Sequence, residues 1–357
     1  MQENLYTSSS KKRKFKRSVR CAITIVAVII IVMPIFNYFG GLYKSAADKN
    51  VINAFTKQRF DDFYALEPNS LDMVFIGSSH AYCTFDPEII DAGLGTRSFQ
   101  MGTPNQCPDT SYYELREILK YQSPKYVVME IYWDVLDDGF ELKQANSFFE
   151  VVKSNDIKEE YIKKGFPLSD RVKYSLLPIR YQQDYFAYEG NEMQKNIEQK
   201  YGVAKKQTEV QQGEEYYRSK GYVYSNQLMI STEYNTTNQF RGLDGKDFEI
   251  DSHQKKYLDL IVELCREQNI ELVFVTAPAA NVSMEYIQNY DAINKVVSDY
   301  AAENNVPYID YNMENMQRNL LTNENFRDDA HLNHSGVEII DADFIIWFRD
   351  NVAKIRN

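Results

Sequence analysis

Apolar residues first form one long block, then recur as short runs separated by helical periodicities. The block, residues 21–36, holds sixteen residues without a charge. With the softer stretch to Tyr43 it reaches about 22 residues, enough for a helix to cross a ~30 Å hydrocarbon core. It is apolar on all faces rather than along one stripe, which argues against a buried helix of a soluble domain. A transmembrane anchor over 21–43 is therefore expected. A cleaved signal peptide is the competing reading, with Gly40-Gly41 and Ala46-Ala47 as weak cleavage sites.

Beyond a linker at 44–70, strand-like and helix-like segments alternate. Met73-Val74-Phe75-Ile76, Tyr126 to Ile131 and Leu272-Val273-Phe274-Val275 read as buried strands, with a shorter fourth at Pro307-Tyr308-Ile309-Asp310. Tyr257, Leu260, Ile261, Leu264 and Cys265 share one helical face, so Cys265 reads as core. Ser335 and Glu338 form a capping box ahead of Val337, Ile340, Phe344, Trp347 and Phe348. This rhythm predicts an α/β fold: a central parallel sheet covered on both faces, three layers α/β/α, over 71–357. Its chemistry should lie in loops at the carboxyl ends of the strands. Residues 139–250 interrupt the rhythm and read as a mostly helical insertion that caps the site or docks a partner, with a solvated, poorly ordered excursion as the competing reading. Their tyrosines are also candidates for stacking on sugar rings.

Charge divides the chain at the apolar block. Of the formal net charge of −11, residues 1–20 contribute +6, from seven Lys/Arg against one Glu, so the remainder carries −17. The basic flank predicts a cytoplasmic tail at 1–20, a single-pass type II protein in the cell membrane, and an extracytoplasmic domain. The acidic remainder excludes a general nucleic-acid binder. Four cysteines in 357 residues exclude a disulfide-built scaffold.

Two segments carry candidate chemistry. In Phe75-Ile76-Gly77-Ser78-Ser79-His80 a serine follows a buried strand and a glycine, where a strand-to-helix turn exposes its hydroxyl. The Gly-x-Ser-x-Gly elbow is absent, since position 81 is Ala. In Asp328-Asp329-Ala330-His331 a carboxylate and an imidazole are three residues apart on one loop. A serine hydroxyl needs such an imidazole to remove its proton, and the imidazole needs a carboxylate to fix its tautomer. His331, His334 and Asp328 make only a partial metal-ligand set, so neither metal nor cofactor is expected.

Gly77-Ser78-Ser79 early in the domain, with Asp328-x-x-His331 before the last helix, resembles the SGNH (GDSL-like) hydrolase superfamily. The resemblance covers residues 71–135 and 270–350. It extends to the membrane-anchored branch that includes the D-alanyl transfer protein of teichoic acid modification and exopolysaccharide O-acetyltransferases. It implies a flavodoxin-like sheet, Ser79 as nucleophile, His331 as general base and Asp328 as its orienting partner. It further implies that the backbone of Ser79 and Gly102 forms the oxyanion hole. Two departures stand out: Ser78 replaces the first-block Asp, and Met129-Glu130-Ile131-Tyr132-Trp133-Asp134 lacks the third-block Asn. Loss of one such donor costs roughly 10²–10³ in rate. Asn105 is the natural substitute. Glu130 is a candidate for substrate contact or, equally, a structurally paired strand-end carboxylate. His80 is a candidate for substrate contact, and Cys83 and Cys107 for a disulfide between the two loops.

These readings lead to a serine O-acyltransferase acting on a cell-surface glycan or teichoic-type polymer. A multi-pass membrane O-acyltransferase is the partner implied by the resemblance. An esterase or deacetylase on the same polymer, and a non-catalytic scaffold, are the alternatives.

Overall fold

Five parallel strands pair in the order β2-β1-β3-β7-β8: β1 Met73–Ile76, β2 Ser98–Gln100, β3 Tyr126–Glu130, β7 Glu271–Thr276 and β8 Tyr308–Asp310. Register runs Val74 beside Phe99 and Val127, Val127 beside Leu272, and Val275 beside Ile309. The strands are short and apolar because both faces are covered. This is a computed structural model, and it describes residues 3–47, 54–180, 211–212 and 215–353. Residues 1–51 with 168–206 form one compact unit, and 52–167 with 207–357 form the other.

In the second unit, α4 Pro87–Leu94 and α14 His334–Asn351 lie on one face of the sheet. Met73, Phe75, Val128, Val273 and Val275 pack there against Ile90, Val337, Ile340 and Phe344. The alternate strand residues point to the other face, where Phe274 stacks on Tyr300. That layer holds α5 Pro108–Ile118, α10 Ser252–Glu267 and α12 Tyr290–Glu303. Along α10, Tyr257, Ile261 and Cys265 are buried, as their spacing predicts. The cap of α14 differs from expectation: Asn333, not Ser335, accepts from the N–H groups of Ser335 and Gly336.

Two segments depart from the sequence reading. The expected linker 44–70 contains α2 Ala54–Ala65, with Phe55, Thr56, Arg59, Phe60 and Phe63 buried. Those positions form one helical stripe, interrupted by an arginine that hides it from an apolar pattern. Among its described residues the expected helical insertion holds α6 Leu142–Val151, α7 Asn155–Glu160, α8 Leu168–Ser175 and α9 Leu177–Arg180, and residues 181–210 lie outside the described residues. Its later part forms an antiparallel sheet of β4 Gln211–Gln212, β5 Glu215–Ser219 and β6 Tyr222–Ser225. Tyrosine favours strands, and Tyr216 stacks on Tyr224 across the pair. Lys220 and Gly221, at φ 48° and 85°, make the two-residue turn.

The first unit contains α1 Glu3–Ala47, in which Phe15–Tyr38 are long and apolar enough to span a membrane. Beside it, the Leu177 N–H donates to Asn37 Oδ1 at 3.4 Å.

Candidate active site

β1 ends at Ile76 and the chain turns through Gly77 at φ +134°, a conformation that side chains rarely adopt. A Cβ on Gly77 would also lie 2.8 Å from Cβ and the carbonyl oxygen of Glu130. Ser78 caps the helix that follows, α3 Ser79–Thr84, its hydroxyl accepting from the His80 N–H at 3.1 Å. Ser79 is thus the first helical residue, half-buried, with Oγ 2.8 Å from His331 Nε2.

His331 sits on a closed loop: Phe326 bridges Leu332, and the Arg327 N–H donates to the His331 carbonyl at 3.0 Å. Within it Asp328 Oδ1 accepts from the N–H groups of Ala330 and His331 at 2.8 and 2.7 Å. Both carboxylate oxygens lie 3.0 Å from His331 Nδ1. This pattern assigns the proton to Nδ1 and leaves Nε2 as acceptor for the Ser79 hydroxyl. Burial opposes the charge on Asp328, but His331 and Arg327 outweigh it and hold the carboxyl below its ordinary range. The structure brings together Ser79, His331 and Asp328.

Gly102 follows β2 and packs tightly, since a Cβ there would lie 2.8 Å from the Ser78 carbonyl oxygen. Among the described residues, the N–H groups of Ser79 and Gly102 donate to no acceptor. Asn105 is exposed on the same loop at φ 49°, and its side chain has no hydrogen-bond partner among the described residues.

Glu130 and His80, the candidates for substrate contact, both have partners within the protein. Glu130 is buried, and its Oε2 accepts from the Ser78 N–H at 2.9 Å and the Ser78 hydroxyl at 2.7 Å. Burial pushes its carboxyl up to about 7 against those hydrogen bonds. His80 is buried with its ring stacked on Tyr132 at 4.3 Å and 4.7 Å from the ring of His331. Burial, then the neighbouring His331, lowers its pKa well below the ordinary histidine value.

Nor is there a disulfide between Cys83 and Cys107; both are free and buried. Cys83 packs with Phe55, Tyr82 and Val223, whereas Cys107 packs with Tyr132, Trp133 and Phe240. His334 turns from His331, and its Nδ1 is hydrogen-bonded with the Tyr222 hydroxyl at 2.9 Å.

Three supporting residues escaped sequence reasoning. Arg327 is buried, donates to Cys83 Sγ at 3.2 Å, and lies 3.3 Å from the carboxylate of Glu215 and 3.5 Å from that of Asp328. Asp329 accepts from the backbone and side-chain N–H groups of Gln239 at 2.6 and 2.7 Å, tying the later insertion to the His331 loop. Arg59 donates to the Gly102 carbonyl at 2.7 Å. Each acts through a partner remote in sequence, so no local spacing announces it.

No family model matches this sequence. No curated protein matches it either. Among solved structures it is similar to a GDSL-like lipase from Bacteroides thetaiotaomicron, at 12% identity and a TM-score of 0.38, over 84% of this chain and 99% of that one. It is also similar to a protein described as an acylhydrolase from Bacteroides fragilis, at 13% identity and a TM-score of 0.34, over 82% of this chain and 94% of that one. At these scores neither bears on the chemistry, which rests on the residues themselves.

Proposed function

We propose that this chain is a membrane-anchored, extracytoplasmic serine O-acyltransferase that modifies a cell-surface glycan or teichoic-type polymer. The reading is carried by the 2.8 Å contact of Ser79 Oγ with His331 Nε2, whose Nδ1 faces Asp328. In this reading His331 takes the Ser79 proton as Oγ attacks an acyl carbonyl, and Asp328 stabilises the imidazolium. The N–H groups of Ser79 and Gly102, which have no other acceptor among the described residues, stabilise the oxyanion. His331 then protonates the leaving oxygen, giving an acyl-enzyme and a free alcohol. A polymer hydroxyl attacks next, loses its proton to His331, and leaves as an ester with Ser79 restored.

Anchorage is supported by the apolar stretch Phe15–Tyr38 behind a basic flank. A charge of −17 on the rest of the chain suits a neutral or zwitterionic polymer, or one delivered by a multi-pass membrane O-acyltransferase. Hydrolysis is the second reading, favoured by the partial exposure of Ser79, which admits water. The test supplies purified protein with an acetyl ester donor and a polysaccharide acceptor. Acylated polymer, absent in Ser79→Ala, is expected; free acid alone would establish the esterase.

A further inference from the structure

Arg59 is wholly buried on α2, and among the described residues no carboxylate stands within ion-pair distance of it, although the buried Glu114 acts on it from further away. Its hydrogen bonds go to backbone carbonyls: Nη1 to Gly102 at 2.7 Å, and Nε and Nη2 to Gly221 at 3.0 and 2.8 Å. The ring of Tyr82 lies 4.2 Å from the guanidinium carbon. Stripping a guanidinium of water with only neutral hydrogen-bond partners is unfavourable, so such a group persists only where the fold demands it. Glu130 is the opposite case. It is buried, with no cation within ion-pair distance among the described residues, and takes both donors of Ser78.

The two charges are joined through the backbone. Arg59 donates to the carbonyl of Gly102, and the N–H of that same peptide group, on Thr103, donates to the Gly77 carbonyl at 3.0 Å. The N–H of the Gly77 peptide group, on Ser78, donates to Glu130 Oε2 at 2.9 Å. Each amide turns its oxygen toward the cation and its N–H toward the carboxylate, so both dipoles align between opposite charges and the bonds polarise one another. One peptide group belongs to the loop that carries Gly102, the other to the turn that carries Ser79.

We propose that Arg59 and Glu130 are a charge pair acting through two peptide groups, and that they are positioning residues which hold the Ser79 turn and the Gly102 loop in register. The inference rests on the acyl-transfer reading of the site. Its physical content is that a slip of about 1 Å between nucleophile and oxyanion donors is worth roughly 10²-fold in rate.

The experiment uses the full chain in detergent at pH 8.5, above the range in which Glu130 ionises. It measures the rate constant for covalent labelling of Ser79 by a fluorophosphonate, and kcat and KM on a chromogenic acetyl ester. Glu130→Gln keeps an acceptor for Ser78 and removes the charge; Arg59→Met keeps the length of the chain. Each is expected to slow labelling and kcat about 10- to 100-fold with KM within about threefold, and the double variant to be little worse than the poorer single. Singles that label at the wild-type rate, or losses that multiply in full, overturn the pair while Ser79→Ala remains unlabelled. Labelling that persists in Ser79→Ala overturns the acyl-transfer reading itself, and the pair with it. Should Arg59→Met fail to fold, a wild-type labelling rate in Glu130→Gln is sufficient to overturn the pair.

Discussion

The ring of His80 lies 4.7 Å from that of His331 and also stacks on Tyr132. Burial keeps His80 neutral, so it supports the base without opposing the positive charge that His331 acquires. Such a ring contact is worth about 1 kcal/mol, or roughly fivefold in rate. His80→Phe is expected to retain kcat within about threefold, whereas His80→Ala loses roughly five- to tenfold. Steady-state kinetics on an acetyl ester measures both, and equal losses in the two variants would remove stacking as the cause.

Asp328 both orients His331 and closes its loop through two backbone N–H groups. Asn at this position keeps an acceptor for those groups but loses the charge opposite Nδ1. Asp328→Asn is expected to lower kcat by about 10³–10⁴, with the melting temperature within a few degrees of wild type. Circular dichroism alongside kinetics separates the two effects.

Gly77→Ala meets Glu130 backbone at 2.8 Å, from a conformation already strained for alanine. A loss of at least about 3 kcal/mol is expected, which for a domain of this size is roughly 6–12 °C in melting temperature. Scanning calorimetry reads it. An unshifted transition would mean that the turn relaxes elsewhere.

Glu114 on α5 is buried beneath the Gly102 loop, accepts from Gln106 Nε2 at 2.8 Å, and is pushed up to about 8 by burial. Its unfolded value is 4.5, so between the two the folded chain keeps a proton that the unfolded chain has lost. Stability from this group is therefore fully present below about 4.5 and lost as pH rises toward about 8. Glu114→Gln is expected to flatten that decline, read as urea midpoints at pH 5 and pH 8.5. Parallel curves for the two proteins would show that Glu114 ionises normally.

Much of the fold is legible from local pattern. The strands at Met73, Tyr126, Glu271 and Tyr308 announce themselves as short apolar runs because both sheet faces bury them. The hairpin from Glu215 to Ser225 was hidden by its polar composition, and its turn uses Lys220 where Asn or Gly would signal a hairpin. Helix α2 was hidden by Arg59, a charge inside an otherwise buried stripe.

The candidate site divides along the same line. By itself the sequence determined the apolar block, the strand–helix alternation, the serine after a strand end, and the Asp-x-x-His spacing, because each is a relation among near neighbours. Tertiary structure alone decided that Ser79 and His331, 252 residues apart, meet at 2.8 Å. It also decided that Cys83 and Cys107 stay apart in separate clusters, and that Glu130 faces Ser78 rather than solvent. The reason is physical. A pattern of apolar spacing specifies which face is buried, whereas the partner of a buried polar group is fixed only when the elements pack.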